Sequence, residues 1–326
     1  MQSIITCLVA FVVSVIAGKF IIPALRALHV GQSIREVGPT WHNSKQGTPT
    51  MGGLIFMLGG LVACVVCGIS AVRDGDYTHL MIFGFAMVFG IIGFLDDFIS
   101  VKKKRNLGLT EIQKLLLQLL AAALYLLLLR RMGHLSSELY IPFANTTIAI
   151  PWVLYLLLSI FIIVGTVNAV NIVDGVDGLC SCVTVPVMIF YSLVAWKWHQ
   201  MGASLVSAAL VGGLLGFLVY NFHPAKVFMG DTGSLFLGGA VCGLAYAMDM
   251  PLILVLVGII YIVETLSDII QVTYFKLTHG KRIFRMAPLH HHFEKGGWSE
   301  VNIVVVFSAI TVVFCILAYL GVMNRI

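Results

Sequence analysis

Asp96 and Asp97 stand side by side in GFLDDFISVKKK, where an oily run meets a basic one. Neighbours on a helix point about 100° apart, so the two carboxylates should find different partners. Acids at a helix C-terminus also oppose its dipole. Something must compensate them, either the lysines at 102 to 104 or a ligand. Further on, NAVNIVDGVDGL carries Asn168 and Asn171, then Asp174 and Asp177, each pair three apart. Gly175 and Gly178 suit the end of a helix, so amides and carboxylates would be offered together from a turn. A base or ribose needs that mixture of donors and acceptors; polar capping and turn residues are the bland alternative.

In YNFHPAKVFMGDTGSL, Asn221 and Phe228 precede Asp231. An Asp at a helix start, followed by Thr232, Gly233 and Ser234, reads as an N-cap. It is equally how a membrane helix presents amide hydrogens and a carboxylate to a phosphate with Mg²⁺. Phe228 could stack on a base or anchor at the interface. In GPTWHNSKQGTPTMGG, Lys45 beside Gly47, Thr48 and Thr50 could grip a phosphate as a point charge, or be a solvated loop cation. MAPLHHHFE puts His290, His291 and His292 in a row after Lys281, Arg282 and Arg285. Consecutive side chains diverge and zinc triads use wider spacings, so contact with phosphate or substrate is expected over a shared metal.

These groups sit in a very apolar chain. Of 326 residues 59% are hydrophobic and 11% charged, which excludes the usual soluble composition and implies an all-α polytopic membrane protein. A span needs roughly 20 apolar residues, and ten segments meet or approach that, at about 3–22, 51–72, 80–95, 112–130, 150–170, 179–198, 203–220, 234–249, 251–275 and 301–323. Fourteen of the twenty Lys and Arg fall in or beside the loops after segments 1, 3, 7 and 9. Positive charge marks the cytoplasmic side. Both termini should therefore lie outside, with the functional residues facing the cytoplasm. The net charge of +5 reads as topology and contact with anionic lipid, not nucleic-acid binding. Without a basic n-region or small-residue cleavage signal, segment 1 reads as an uncleaved helix. Cys64 and Cys67 lie inside segment 2 and read as packing residues. With no internal repeat or separate soluble stretch, residues 1–326 form one membrane domain.

Five acids at inward helix ends, two Asn pairs, a loop lysine and a basic histidine loop point to Mg²⁺ and a polyphosphate substrate at a membrane surface. A rival class rests on segment 9, where Glu264, Asp268 and Gln271 form a stripe with Glu264 near the midpoint. Intramembrane acids of this kind suit a proton-coupled transporter, although paired interrupted helices in two halves are missing.

The motifs quoted above, taken in order, resemble the phospho-N-acetylmuramoyl-pentapeptide transferase family, within the polyprenyl-phosphate N-acetylhexosamine-1-phosphate transferases. The resemblance covers nearly the whole chain. It implies transfer of phospho-MurNAc-pentapeptide from its UDP carrier to undecaprenyl phosphate, with Mg²⁺, in the bacterial cytoplasmic membrane, by a homodimer. By motif, Asp231 would be the principal Mg²⁺ ligand, and Asp96 and Asp97 would act near the lipid phosphate. Lys45, Thr50, Lys104, Asn168, Asn171, Asp174, Gly175, Asp177, Asn221, Phe228, Gln271 and the three histidines would line the nucleotide-sugar site. The histidine block marks the muramoyl branch; a sister transferase using UDP-GlcNAc is the alternative. One departure is Val173, where the resemblance implies a hydroxylated residue, and it puts a minor contact in doubt. Direct attack by the lipid phosphate and a two-step route through an aspartyl intermediate are both open to these residues.

Overall fold

The computed structural model describes residues 1–28, 47–103, 108–323 and 325, Lys103 by its backbone alone. The chain is helical almost throughout, in the order α1 (Gln2–Ala27), α2 (Gly53–Cys67), α3 (Ile69–Arg73), α4 (Thr78–Lys103) and α5 (Glu111–Arg131). A small antiparallel hairpin follows, β1 (Glu138–Ile141) with β2 (Thr146–Ala149), in register Glu138 to Ala149. Then come α6 (Trp152–Val173), α7 (Leu179–Lys197), α8 (Met201–Asn221), α9 (Gly230–Ala247), α10 (Leu254–Val257), α11 (Ile259–Leu277), α12 (Leu289–Glu294) and α13 (Glu300–Val322).

All ten apolar segments fall on helix, but unequally. Among the described residues, seven helices are long and apolar enough to cross a membrane, and an eighth span results if Pro251–Val257 and Ile259–Leu277, bent by 78°, count as one. The remaining two expected segments are α2 with its short continuation α3, and α9. At 15 residues α2 is short, and α9 dilutes its apolar content with eight polar or glycine positions, five of them its first five residues. The interior position of α9 lets neighbouring helices replace lipid, whereas α2 is buried on one face and exposes Leu58, Leu61, Val65 and Val66 on the other.

The outer helices carry the opposite signature. On α1, Ile4, Leu8, Val12, Ile16 and Phe20 are all exposed at a spacing of four, which lines them up on one face. An apolar stripe of that length is sustained by lipid, not water. Its opposite face is small: Ala10, Ser14, Ala17 and Gly18 are buried, and a Cβ on Gly212 of α8 would stand 1.9 Å from the Cys7 carbonyl oxygen. Small residues let membrane helices approach closely, where packing must replace the hydrophobic effect.

The same device centres α9. A Cβ at Gly53 of α2 would meet the Gly233 Cα at 2.3 Å, and one at Gly93 of α4 would meet the Asp231 carbonyl oxygen at 2.0 Å. Helices α2, α4 and α6 thus press on α9, which is buried nearly end to end. One end of the bundle gathers the last turns of α4, α6 and α8 and the first turns of α2, α5, α7 and α9. At the far end, the Gln2 side chain donates to the Cys67 carbonyl at 2.7 Å and the Phe143 amide to Gly321 at 2.8 Å.

Gly93→Ala puts a methyl against backbone that cannot rotate away. It should lower stability by about 1–3 kcal/mol, read as a fall in melting temperature in detergent; an unchanged melting point would mean α4 and α9 do not meet this closely.

Candidate active site

The adjacent acids Asp96 and Asp97 do separate jobs. Asp97 reaches α9 from α4: its Oδ1 accepts the Asp231 amide at 3.3 Å, and its Oδ2 accepts the Thr232 amide at 2.9 Å and hydroxyl at 2.6 Å. A helix start leaves its first amides unpaired, and here a carboxylate from another helix takes them. The expectation that Asp231 caps its own helix is corrected: Met229 is the N-cap, without a side-chain bond, and Asp231 lies in the first turn. Those amides are therefore not open to a phosphate. Gly230 makes the approach feasible. Its φ is +71°, and a Cβ would sit 2.6 Å from Asp97 Oδ2 and 2.7 Å from Thr50 Oγ1.

Asp96 faces the other way. Its Oδ1 accepts the Leu109 amide at 2.9 Å, and its Oδ2 is 4.0 Å from the Lys114 ammonium. Lys114 forms an ion pair with Asp231. The other oxygen of Asp231 accepts from Asn171 at 2.8 Å, whose amide also donates to Ser234 Oγ at 2.8 Å. Lys114 stands in the first turn of α5, a helix opened by a capping box of Thr110 with Gln113. In the sequence Lys114 reads as one of the basic residues that mark the cytoplasmic side. The usable signal was Gln118, one helical turn on inside the same leucine run. Two polar residues four apart on an oily helix mark an inward face.

Asp174 follows the last residue of α6 and accepts the Gly230 amide. Burial, then the neighbouring Asp231, Asp97 and Asp177, push its carboxyl well above the usual carboxylate range. Four carboxylates thus converge with one ammonium among the described residues. Hard oxygen donors in excess of cationic charge suit a divalent ion such as Mg²⁺.

The helix ends where Gly175 and Gly178 suggested, but Asp177 goes elsewhere, so the two aspartates of the turn are not offered together. The turn reverses at Gly178, whose φ is +75°. Asp177 Oδ2 accepts the Ala225 amide at 3.0 Å and lies 3.1 Å from His223 Nδ1, while its own amide donates to Glu300 at 3.1 Å. It ties the turn to residues 223–225 and α13. Asn168 is directed at α5, donating to Gln118 Oε1 at 2.7 Å and to the Val164 carbonyl at 2.8 Å. Asn221 donates to the Val227 carbonyl at 3.0 Å and so shapes the loop carrying Phe228. The Phe228 ring is half-buried, and its backbone bonds to Pro49 and Gly52 at 2.8 Å each, beside Thr50. Lys45 and Lys104 lie outside the described residues.

The stripe on α11 holds the histidine loop. Gln271 accepts the Ile283 and Phe284 amides at 3.1 and 3.0 Å and donates to the Phe284 carbonyl at 3.1 Å. Buried Glu264 accepts from the backbone of His290 at 3.0 Å and lies 3.0 Å from its Nδ1. The three histidine rings take three partners: His290 has Glu264, His291 has Glu294 at 2.6 Å, and His292 accepts the Arg285 amide at 3.1 Å. His290 also packs against Gly175, where a Cβ would be 2.3 Å from its Nε2.

Two family patterns match the chain. Glycosyl transferase family 4 covers residues 79–249, and phospho-N-acetylmuramoyl-pentapeptide-transferase signature 1 covers residues 45–57. Curated proteins named phospho-N-acetylmuramoyl-pentapeptide-transferase are similar over nearly their full length. That of Clostridium acetobutylicum is 46% identical across 98% of each chain. That of Halalkalibacterium halodurans is 47% identical across 97% of this chain and 96% of its own. That of Carboxydothermus hydrogenoformans is 45% identical across 98% of each.

A carboxyl that keeps its proton to higher pH in the folded state than in the unfolded chain makes stability fall as pH rises. In metal-free protein, Asp174→Asn should therefore gain thermal stability relative to the unsubstituted chain as pH rises above about 4, the ordinary Asp value. The two melting curves should converge in acid; parallel curves from acid to alkaline pH would remove the buried-carboxyl account.

Proposed function

The chain belongs to the phospho-N-acetylmuramoyl-pentapeptide-transferase family, and we propose that its carboxylate cluster is where that family's reaction occurs. The activity is transfer of phospho-MurNAc-pentapeptide from UDP-MurNAc-pentapeptide to undecaprenyl phosphate, yielding lipid I and UMP for peptidoglycan synthesis. The observation that carries the site assignment is the meeting of Asp96, Asp97, Asp174 and Asp231 with Lys114 at the shared end of α4, α5, α6 and α9.

The protein is a multi-pass membrane protein of bacteria. Our reading adds ten spans, both termini outside, the cluster facing the cytoplasm, and a homodimer as the acting unit. Lysines and arginines concentrated beside the site end of the bundle support that orientation.

Mg²⁺, held chiefly by Asp231, would supply charge neutralisation for the diphosphate. The chain's own groups do the rest. A phosphate monoester has a second pKa of roughly 6, so the acceptor arrives mostly ionised and needs orientation more than deprotonation. Its oxygen attacks the β-phosphorus of the nucleotide sugar. The bond from that phosphorus to the bridging oxygen breaks, and UMP departs with the electron pair. Asp97 makes a poor nucleophile for a two-step route, because Thr232 and the Asp231 amide already engage both its oxygens. Asp96, with one oxygen turned toward Lys114, is the better group for orienting the acceptor. Lys114 holds Asp231 in place and offsets the charge that both substrates bring.

The transporter alternative loses its main support. Both oxygens of Glu264 are engaged by His290 deep in the fold.

UMP release with undecaprenyl phosphate, UDP-MurNAc-pentapeptide and graded Mg²⁺ is the decisive assay. Asp231→Asn in folded protein should abolish measurable turnover; normal turnover with an ordinary Mg²⁺ dependence would refute the metal assignment. Lys114→Gln should slow turnover by about 10²–10³-fold, the scale for losing one fixed electrostatic stabiliser. Replacing the donor with UDP-GlcNAc should give no UMP; efficient release would instead favour the sister class.

A further inference from the structure

Glu264 and His290 are both about 1% exposed, and one feature of the pair lacks a purpose within the fold. The carboxylate receives the His290 backbone amide on Oε1 and faces Nδ1 with Oε2. It therefore fixes the rotation of the ring and keeps a proton on Nδ1. The other ring nitrogen, Nε2, is buried with no hydrogen-bond partner. A buried polar atom left bare is costly. A side chain needed only to dock the loop would be better without it.

Nε2 is aimed at the turn that carries the site. It lies over Gly175, between Asp174, which reaches α9, and Asp177, which reaches residues 223–225. Gly175 has no side chain, which is what lets Nε2 come this close to the turn. We propose that Glu264 is a positioning residue: it holds His290 so that Nε2 accepts a hydrogen bond from a hydroxyl or amide of the bound nucleotide sugar at the Asp174–Asp177 turn. The inference rests on the reaction proposed above. It separates His290 from His291 and His292, whose Nδ1 atoms are occupied within their own loop by Glu294 and the Arg285 amide.

Glu264→Gln tests this with little change of shape. The His290 amide still requires an oxygen, so the new side chain's NH₂ is left facing Nδ1. That moves the ring proton to Nε2 and turns the acceptor into a donor. Histidine ¹⁵N spectra of the protein in nanodiscs should show the swap, which a merely structural role would not require. In the UMP-release assay, KM for UDP-MurNAc-pentapeptide should rise on the order of 10- to 100-fold, the scale of one lost buried hydrogen bond, with kcat far less affected. His290→Gln, whose amide reaches the Nε2 position, should keep most of the affinity. His290→Asn, which reaches only the Nδ1 position, should show the raised KM. An unchanged KM after the proton has moved, an unmoved proton, or an Asn variant that binds like the unsubstituted chain would each overturn the proposal. Unsubstituted protein that releases no UMP would instead overturn the reaction, while the ring-proton spectra still report on Glu264.

Discussion

The site depends on a carboxylate of one helix closing the N-terminus of another. Asp97 of α4 takes the first amides of α9 and the Thr232 hydroxyl, which locks a half-buried helix and a buried one in register. That bond sets the direction of Asp231, and through Asp231 those of Lys114 and Asn171. The unfavourable placement of an acid at the end of its own helix is offset by the positive end of the next. Gly230 serves the same contact, since only a residue without a side chain leaves room for Asp97 and Thr50 at a positive φ.

Much of this architecture is legible in the sequence. The oily segments predict where helices run, and the divergence of neighbours on a helix predicts that Asp96 and Asp97 part company. What is not legible is pairing across the bundle. Whether Asp231 caps α9 or is freed by another cap depends on a residue 134 positions away. Asn168 and Asn171 look equivalent at a spacing of three, yet one meets Gln118 and the other Asp231. Lys114 hides because the same ammonium serves as a topology signal and as a counter-ion.

The stripe on α11 teaches the same lesson in reverse. Glu264 and Gln271 read as intramembrane polar groups in search of an ion or a substrate. Their partners are backbone groups and a histidine supplied by the loop that follows. A long loop at a membrane surface has many polar groups of its own to satisfy, and the preceding helix is the nearest donor of side chains. Three histidines in a row consequently become three separately anchored rings.

Helix length carries a further consequence. At 1.5 Å per residue, the 26-residue α1 and α4 extend about 39 Å, while the 18-residue α9 extends about 27 Å. Asp97 sits six residues before the end of α4, some 9 Å down by the same rise. The carboxylates are therefore recessed by about 9 Å from the tip of α4. A phosphate that meets Asp96 and Asp97 has to come down beside the last turns of that helix, so the stretch of α4 beyond the aspartates sets how far below the helix tip the two must meet.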